Sequence, residues 1–392
     1  MIKLDAAAIL PADGTAGTLI GRAWVPGKIP GPSVVRLDGD SVLDLGRAAP
    51  TVAELCNAED PVGIVRGAKA TRIGSLADMI ANSAAGAIDP AKPYFLAPVD
   101  LQAVKASGVT FVSSMLERLV EEQAKGDPAR VEEIRKTIHG EIGTSLERLK
   151  PGSPEAAKLK EALIRRGAWS QYLEVGIGPD AEIFTKCPPM AAVGLGAEIG
   201  IHPKSIWNNP EPEIVMVASA KGRMVGAALG NDVNLRDVEG RSALLLGKAK
   251  DNNASCAIGP FLRLFDASFG LDDLRQTVVE LRVEGLDQFV LEGASSVAKI
   301  SRDLHDLVAQ TIGANHQYPD GVCLFSGTMF SPTKDRGKPG EGFTHKLGDI
   351  VTIRSARLGS LVNRVTHSDK APPWTFGAVA LMRNLAERGL LG

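Results

Sequence analysis

The sequence has few cysteines, and none of them is grouped in a way that indicates a metal site or a redox pair. Four occur in 392 residues, and no two stand in a Cys-x-x-Cys spacing or beside histidines at zinc-site spacing. A chain of this length buries enough surface to fold without disulfide bonds. We therefore expect reduced thiols at Cys56, Cys187, Cys256 and Cys323, with Cys256 close enough to the polar motifs below to line a site.

The sequence also lacks an excess of charge of one sign and any long apolar run. Its 44 basic and 46 acidic residues give a formal net charge of -2, which provides no basic field for nucleic acid or for an anionic membrane surface. No uncharged run approaches the roughly 18 residues that span a bilayer. The first twenty residues lack the organisation of a secretory signal. We expect a cytoplasmic protein without nucleic-acid or membrane partners.

The pattern of apolar residues predicts an α+β fold that is mainly β. Short strands separated by turn residues occupy 18–48, and a helical stretch follows, with Thr51 as its N-cap. Amphipathic helices dominate from about residue 115 to residue 175. Val, Ile and Leu runs bounded by Gly, Pro and Asn then predict a β-rich core. We expect a mixed α/β domain over 1–105, a helical lid or connection over 106–180, and the core domain over 181–392.

The stretch "NPEPEIVMV" places two carboxylates on an otherwise apolar strand. Residues i and i+2 of a strand share a face, so Glu211 and Glu213 point the same way. An isolated pair of this kind commonly sits at a strand end, relieved by solvent or by arginine. Here the chain turns at "KGR" and returns as "MVGAAL", which brings Asp232 to the same end of the hairpin.

Three converging carboxylates form a site with oxygen ligands only. Such a set suits Mg²⁺, Mn²⁺ or Ca²⁺ and suits neither zinc nor copper. Lys250 would add a positive donor near whatever the metal polarises. Arg236 and Asp237 are interpreted first as an ion pair that holds the loop, with a role of Arg236 in substrate binding as the alternative.

The order of these motifs resembles that of the fumarylacetoacetate hydrolase family. The matching features are E-x-E, N-D-x-x-x-R-D, A-K followed by S-C-x-I-G-P, a late S-G-T and the segment "GDIVTIRSARLGSLVNRV", over roughly 181–365. The resemblance implies a β-roll core that serves as the catalytic domain. It also implies one Mg²⁺, or alternatively Mn²⁺, bound by Glu211, Glu213 and Asp232, and a homodimer or homotetramer.

The resemblance also assigns roles to individual residues. It makes Lys250 the family's catalytic lysine and places Lys186, in "IFTKCPP", near the substrate carboxylate. Gly327 and Thr328, in "FSGTMF", would hold substrate oxygens.

The segment "GVTFVSSMLERLVEE" is similar to the family segment that enters a lid helix. Ser114 is expected to bind substrate there. Glu117 takes the place of the histidine that acts as base in fumarylacetoacetate-cleaving members, and Thr110 takes the place of a further metal-binding aspartate. Both departures argue against fumarylacetoacetase activity.

With these two departures, the sequence is similar to the branch of the family that dehydrates 2-keto-3-deoxy-pentonates. That branch converts 2-keto-3-deoxy-D-xylonate, the same compound as 2-keto-3-deoxy-D-arabinonate, to 2-ketoglutarate semialdehyde in oxidative pentose degradation. Glu117 would remove the C3 proton and then protonate the departing C4 hydroxyl. The alternatives are a C–C bond hydrolase acting on acylpyruvates or fumarylacetoacetate, a Schiff base on Lys250, and a non-catalytic binder of sugar acids.

Overall fold

The computed structural model describes residues 2, 4–86, 88–111, 115–116, 119–120, 149–165, 167, 169–330, 332–338 and 342–391. Two predicted site residues, Ser114 and Glu117, lie outside the described residues, as do residues 121–148 of the predicted lid or connection. No helix in the described part of the chain combines the length and the apolarity that a membrane span requires.

Strands dominate the described structure. They are Leu19–Val25 (β1), Gly31–Asp38 (β2), Ser41–Asp44 (β3), Thr71–Ser75 (β4), Tyr94–Leu96 (β5), Ala103–Gly108 (β6), Glu182–Cys187 (β7), Glu198–Ile201 (β8), Asn208–Asn209 (β9), Pro212–Ala218 (β10), Met224–Asp232 (β11), Asn234–Leu235 (β12), Cys256–Leu264 (β13), Val278–Glu284 (β14), Val290–Ser296 (β15), Val322–Phe325 (β16), Ile350–Ser355 (β17) and Gly359–His367 (β18).

The helices are shorter and lie between the strands. They are Ala6–Ile9 (α1), Val52–Asn57 (α2), Pro61–Gly67 (α3), Leu76–Asn82 (α4), Pro154–Arg165 (α5), Gln171–Ile177 (α6), Arg236–Glu239 (α7), Leu246–Lys250 (α8), Leu271–Arg275 (α9), Leu304–Thr311 (α10) and Ala378–Glu387 (α11). The prediction of an α+β fold that is mainly β is confirmed.

Two local predictions near the N-terminus meet different outcomes. The hydroxyl of Thr51 accepts a hydrogen bond from the backbone N–H of Glu54, so the predicted cap of α2 is confirmed. The helical stretch expected to follow Thr51 is interrupted by β4, which pairs with β3 at the edge of a sheet. The interruption follows from this long-range pairing, which outweighs local helix preference.

One large sheet runs through most of the chain. Its strand order is β4-β3-β2-β1-β13-β11-β10-β16-β6-β7, with β5 also paired to β1. A second sheet, ordered β15-β14-β17-β18-β8, packs on one face through residues such as Met216, Leu281 and Ile353. Helices α2 and α3 cover the opposite face, where Val52 and Val217 belong to one buried cluster. The middle strands of the large sheet are therefore buried on both faces.

The large sheet joins the predicted N-terminal and core domains. β1 pairs antiparallel with β13, and β6 pairs in parallel with β16. The expected boundary near residue 105 therefore lies within a continuous sheet, and the division into three domains stays a prediction. The four cysteines are buried and free, as expected.

Candidate active site

A single hairpin positions the three predicted carboxylates. Glu211 immediately precedes β10, Glu213 lies opposite Gly230 in the β10–β11 pair, and Asp232 ends β11. The backbone N–H of Asp232 donates to the carbonyl of Glu211 at 3.1 Å, which closes this end of the hairpin. Each side chain is about 1% exposed, and one oxygen from each lies within 4.8 Å of the other two. The structure thus brings together the acidic triad predicted from alternation and turn position.

Burial and mutual repulsion raise the free-energy cost of keeping all three carboxylates of the triad charged. Burial raises the pKa of the Glu213 carboxyl well above its usual value, and the negative charges of Asp232 and Glu211 raise it further. The ammonium of Lys250 and the backbone N–H of Gly327 act in the opposite direction. A buried group of this kind requires positive charge nearby in order to ionise.

Lys250 supplies part of that charge. It ends α8 and is 3% exposed, and its Nζ lies 2.5 Å from Glu211 Oε2 and 2.9 Å from Asp232 Oδ2. Its ammonium also lies 5.6 Å from the centre of the Phe184 ring. The predicted catalytic lysine is therefore in contact with two of the three carboxylates.

Lys186 lies behind Asp232. Its side chain is completely buried, and Nζ is 2.8 Å from Asp232 Oδ1 and 3.1 Å from the carbonyl oxygen of Val233. The ammonium also donates to the carbonyl of Lys250, and Ser255 Oγ lies 3.4 Å away. These contacts hold Asp232 in place and compensate its charge. The expected contact of Lys186 with the substrate carboxylate stays a prediction.

Gly327 and Thr328 hold Glu213. The backbone N–H of Gly327 donates to Glu213 Oε2 at 2.7 Å, and the Thr328 hydroxyl lies 3.4 Å from Oε1. Thr328 also lines the pocket beside the triad, where a bound substrate could reach it. Its contact with substrate oxygens stays a prediction. Thr110 donates to the carbonyl of Ser326 at 2.6 Å and thereby supports the same turn.

Substituting Gly327 with alanine is expected to lower metal affinity about 10- to 100-fold, the usual cost of disturbing a group that orients a ligand. Gly327 has φ +98°, and an added Cβ would lie 2.0 Å from Thr110 Oγ1, so the turn that holds Glu213 must move. Titration calorimetry with Mg²⁺ measures the effect.

The control for this prediction is Gly14→Ala. Gly14 also has a positive φ of +61°, but a Cβ there would meet nothing within 4 Å. It carries the backbone strain without the clash, so its metal affinity should equal that of the wild type. Equal affinities in all three proteins would contradict the role given to Gly327.

Arg236 is buried near the triad, but it does not form the predicted ion pair with Asp237. Its guanidinium lies 5.5 Å from the centre of the Trp207 ring and donates to the carbonyl of Pro332 at 3.3 Å. The Asp237 carboxylate instead accepts hydrogen bonds from Ser205 Oγ at 2.7 Å and from the backbone of Ile206 at 3.0 Å. Asp237 therefore holds the 205–206 loop, and the alternative role of Arg236 in substrate binding stays a prediction.

The pocket beside the triad includes residues that the sequence did not indicate. Its lining joins Glu211, Asp232, Lys250 and Thr328 with the following residues: Ser107, Gly108, Val109, Glu182, Phe184 and Glu239. Glu239 is 2.5 Å from Asn234 Nδ2 and lies only two residues after the N-D-x-x-x-R-D motif, which could have drawn attention to it. Glu182 begins β7, and nothing in its local sequence indicates a site.

Two observations fit a hard divalent cation at the triad. The set consists of three carboxylates without nitrogen or sulfur, which favours Mg²⁺ or a similar ion. Asp232 Oδ1 is buried and, within the described residues, accepts no hydrogen bond of good geometry, although Lys186 Nζ is 2.8 Å away. An oxygen in this state retains a lone pair for a metal ion. The acidic triad can therefore hold a metal.

Parts of the chain match a family model and two curated relatives. Residues 170–366 match the model described as fumarylacetoacetate (FAA) hydrolase C-terminal. A 2-dehydro-3-deoxy-D-arabinonate dehydratase of Saccharolobus solfataricus is 32% identical over 187 residues, 47% of this chain and 58% of that protein. A probable 2-keto-3-deoxyxylonate dehydratase of Haloferax volcanii is 29% identical over 195 residues, 50% of this chain and 63% of that protein. The matches thus span about three fifths of each relative.

Solved structures share the fold. A 2-keto-3-deoxy-D-arabinonate dehydratase in its apo form superposes with a TM-score of 0.60 at 19% identity, covering 89% of this chain and 99% of that one. A complex of a dehydratase of that name with magnesium and 2,5-dioxopentanoate gives 0.59 at 18% identity, with the same coverage. The fumarylacetoacetate hydrolase of Exiguobacterium antarcticum gives 0.53 at 14% identity, covering 89% and 99%. With half of its length matched by the family model and this fold around the triad, the chain belongs to the fumarylacetoacetate hydrolase family.

Proposed function

We propose that this protein is a Mg²⁺-dependent dehydratase that converts 2-keto-3-deoxy-D-xylonate to 2-ketoglutarate semialdehyde. The observation that carries the proposal is the buried acidic triad with Lys250 bridging two of its members. The names of the two curated relatives support the substrate class. The 2,5-dioxopentanoate bound to the magnesium-containing structural neighbour is the same compound as the proposed product.

Glu211, Glu213 and Asp232 would hold the metal. A bound divalent ion supplies a Lewis acid that draws charge from the 2-keto group and acidifies the C3 hydrogens. The side chains around the triad would supply the other interactions that the reaction needs. Lys250 would direct a positive donor at the oxygen on which negative charge develops, and its burial away from water strengthens that interaction. Lys186 keeps Asp232 oriented from behind.

Glu117 is the proposed acid and base. It would take one C3 proton and return it to the C4 hydroxyl, which leaves as water, after which the unsaturated product tautomerises to the semialdehyde. Ser114 is proposed to bind the substrate. We also propose a homodimer or homotetramer, which light scattering can measure.

The Glu117→Gln substitution is expected to reduce turnover by about 100-fold or more, because the amide cannot exchange the proton. Mg²⁺ affinity should stay within two-fold of wild type, since the triad supplies the ligands. Turnover is measured by coupling the semialdehyde to an NAD(P)-dependent dehydrogenase, and metal binding by calorimetry. Near-normal turnover would remove Glu117 from the mechanism.

The direct test is incubation with 2-keto-3-deoxy-D-xylonate and Mg²⁺, with the product identified by mass. Semialdehyde that disappears with EDTA and returns with metal supports the proposal. Release of pyruvate from acylpyruvates, with no semialdehyde, would assign the same metal site to a C–C bond hydrolase. Borohydride trapping with substrate tests for a Schiff base, and an adduct on Lys250 would contradict its role as an electrostatic donor.

A further inference from the structure

A second cleft, of about 850 Å³, lies beside the active-site pocket. Short helices separate the two. Val238 faces the cleft while its neighbour Glu239 lines the active-site pocket, and Lys248 faces the cleft while Lys250 contacts the triad. Molecules bound in the cleft would therefore contact the outer side of α7 and α8.

The lining of this second cleft combines positive charge with apolar surface. Lys204, Arg241 and Lys248 are exposed at its rim, and none of the three has an ion-pair or hydrogen-bond partner for its side chain within the described ranges. Leu235 and Leu245 belong to the same lining.

The cleft carries little negative charge to offset these cations. Among the described residues of its lining, Asp251 is the one acidic residue, and partial burial raises the pKa of the Asp251 carboxyl. Other surface cations, such as Arg66, which lies 2.8 Å from Asp266, are ion-paired. Three cations without a partner among the described residues, around a cleft of mixed polar and apolar lining, produce a positive local field that favours anions.

We propose that this cleft is a second ligand site, distinct from the metal centre, for small carboxylates with an apolar body. The carboxylate would lie among Lys204, Arg241 and Lys248, and the hydrocarbon part would pack against the leucines. Small-molecule pockets typically combine apolar surface with a few converging polar or charged groups, and this cleft offers both. The proposal does not depend on the reaction at the triad.

The test is calorimetric titration of the Mg²⁺-loaded protein with three probes: hexanoate, hexanol and inorganic phosphate. Hexanoate carries both the charge and the apolar chain but lacks the 2-keto group of a chelating substrate. It should bind at least 10-fold more tightly than hexanol or phosphate, and its affinity should fall as salt is added. Equal affinity for phosphate, or no binding of hexanoate, would overturn the proposal.

Charge-reversal variants locate the site. Arg241→Glu with Lys248→Glu, and separately Lys204→Glu, should each weaken hexanoate binding at least 10-fold with unchanged melting temperatures. Lys299→Glu is the matched control, because Lys299 is exposed, follows β15 and is not part of the cleft lining. Binding that survives in both cleft variants would come from elsewhere, including the metal, and would contradict the assignment.

Discussion

Replacing Lys250 with methionine is expected to reduce turnover about 100- to 1000-fold, because it removes a preorganised donor from a buried site. The same change should leave Mg²⁺ affinity equal to or higher than that of wild type. The ammonium now lies 2.5 Å from Glu211 Oε2 and 2.9 Å from Asp232 Oδ2, where it partly neutralises the carboxylates that the metal needs. Methionine keeps the apolar stem of the side chain without the charge.

The Lys250→Met protein should also depend on metal for its stability. Without metal, the triad loses a buried partner, and breaking a buried ion pair typically costs about 3–5 kcal/mol. Denaturant unfolding with and without Mg²⁺ should therefore show a larger metal-induced stabilisation than in wild type. Lys158→Met, on the exposed side of α5, is the control and should alter neither quantity. A lower Mg²⁺ affinity in the Lys250→Met variant than in the wild type would show that Lys250 organises the metal ligands and does not compete with the ion.

For Glu213→Gln we expect the opposite changes in Mg²⁺ affinity and in the stability of the metal-free protein. Mg²⁺ affinity should fall by at least about 100-fold, and turnover should be lost with it, because the amide removes one charged ligand. The metal-free protein should be as stable as wild type or more stable. Burial and the two neighbouring carboxylates disfavour the charge on Glu213, and a neutral amide avoids that cost.

The amide can keep the local structure. Its oxygen can accept the hydrogen bond that Gly327 N–H now donates to Glu213 Oε2. Calorimetry for the metal and thermal unfolding of the metal-free protein are the two measurements, with Glu280→Gln on the exposed side of β14 as control. A Glu213→Gln protein that binds Mg²⁺ normally would exclude Glu213 as a ligand.

The sequence predicted those parts of the site that depend on neighbouring residues. Glu211 and Glu213 share a face because strands alternate, and Asp232 joins them because a short turn connects β10 to β11. These rules act over about twenty residues. The cap of α2 at Thr51 was predictable for the same reason.

The remaining parts depend on contacts between distant segments. Lys186 reaches Asp232 because β7 comes close to the β11–β13 pair, and the turn at Gly327 reaches Glu213 across 114 positions of sequence. Glu182 enters the pocket lining through the same packing. Nothing in the local sequence around these residues specifies where such segments meet. The family resemblance indicated Lys186 and Gly327 as contacts of the substrate, and their contacts with the triad carboxylates were found only in the folded chain.

The continuous large sheet has a consequence for any shortened form of the protein. A fragment beginning at residue 170 would contain the whole family match. It would nevertheless deprive β13 of its pairing with β1 and β16 of its pairing with β6. Both remaining strands are apolar, and unpaired apolar edges template association between chains. Such a fragment is expected to aggregate on expression even though every proposed metal ligand is present, so deletions for crystallisation or fusion should leave β1 and β6 intact.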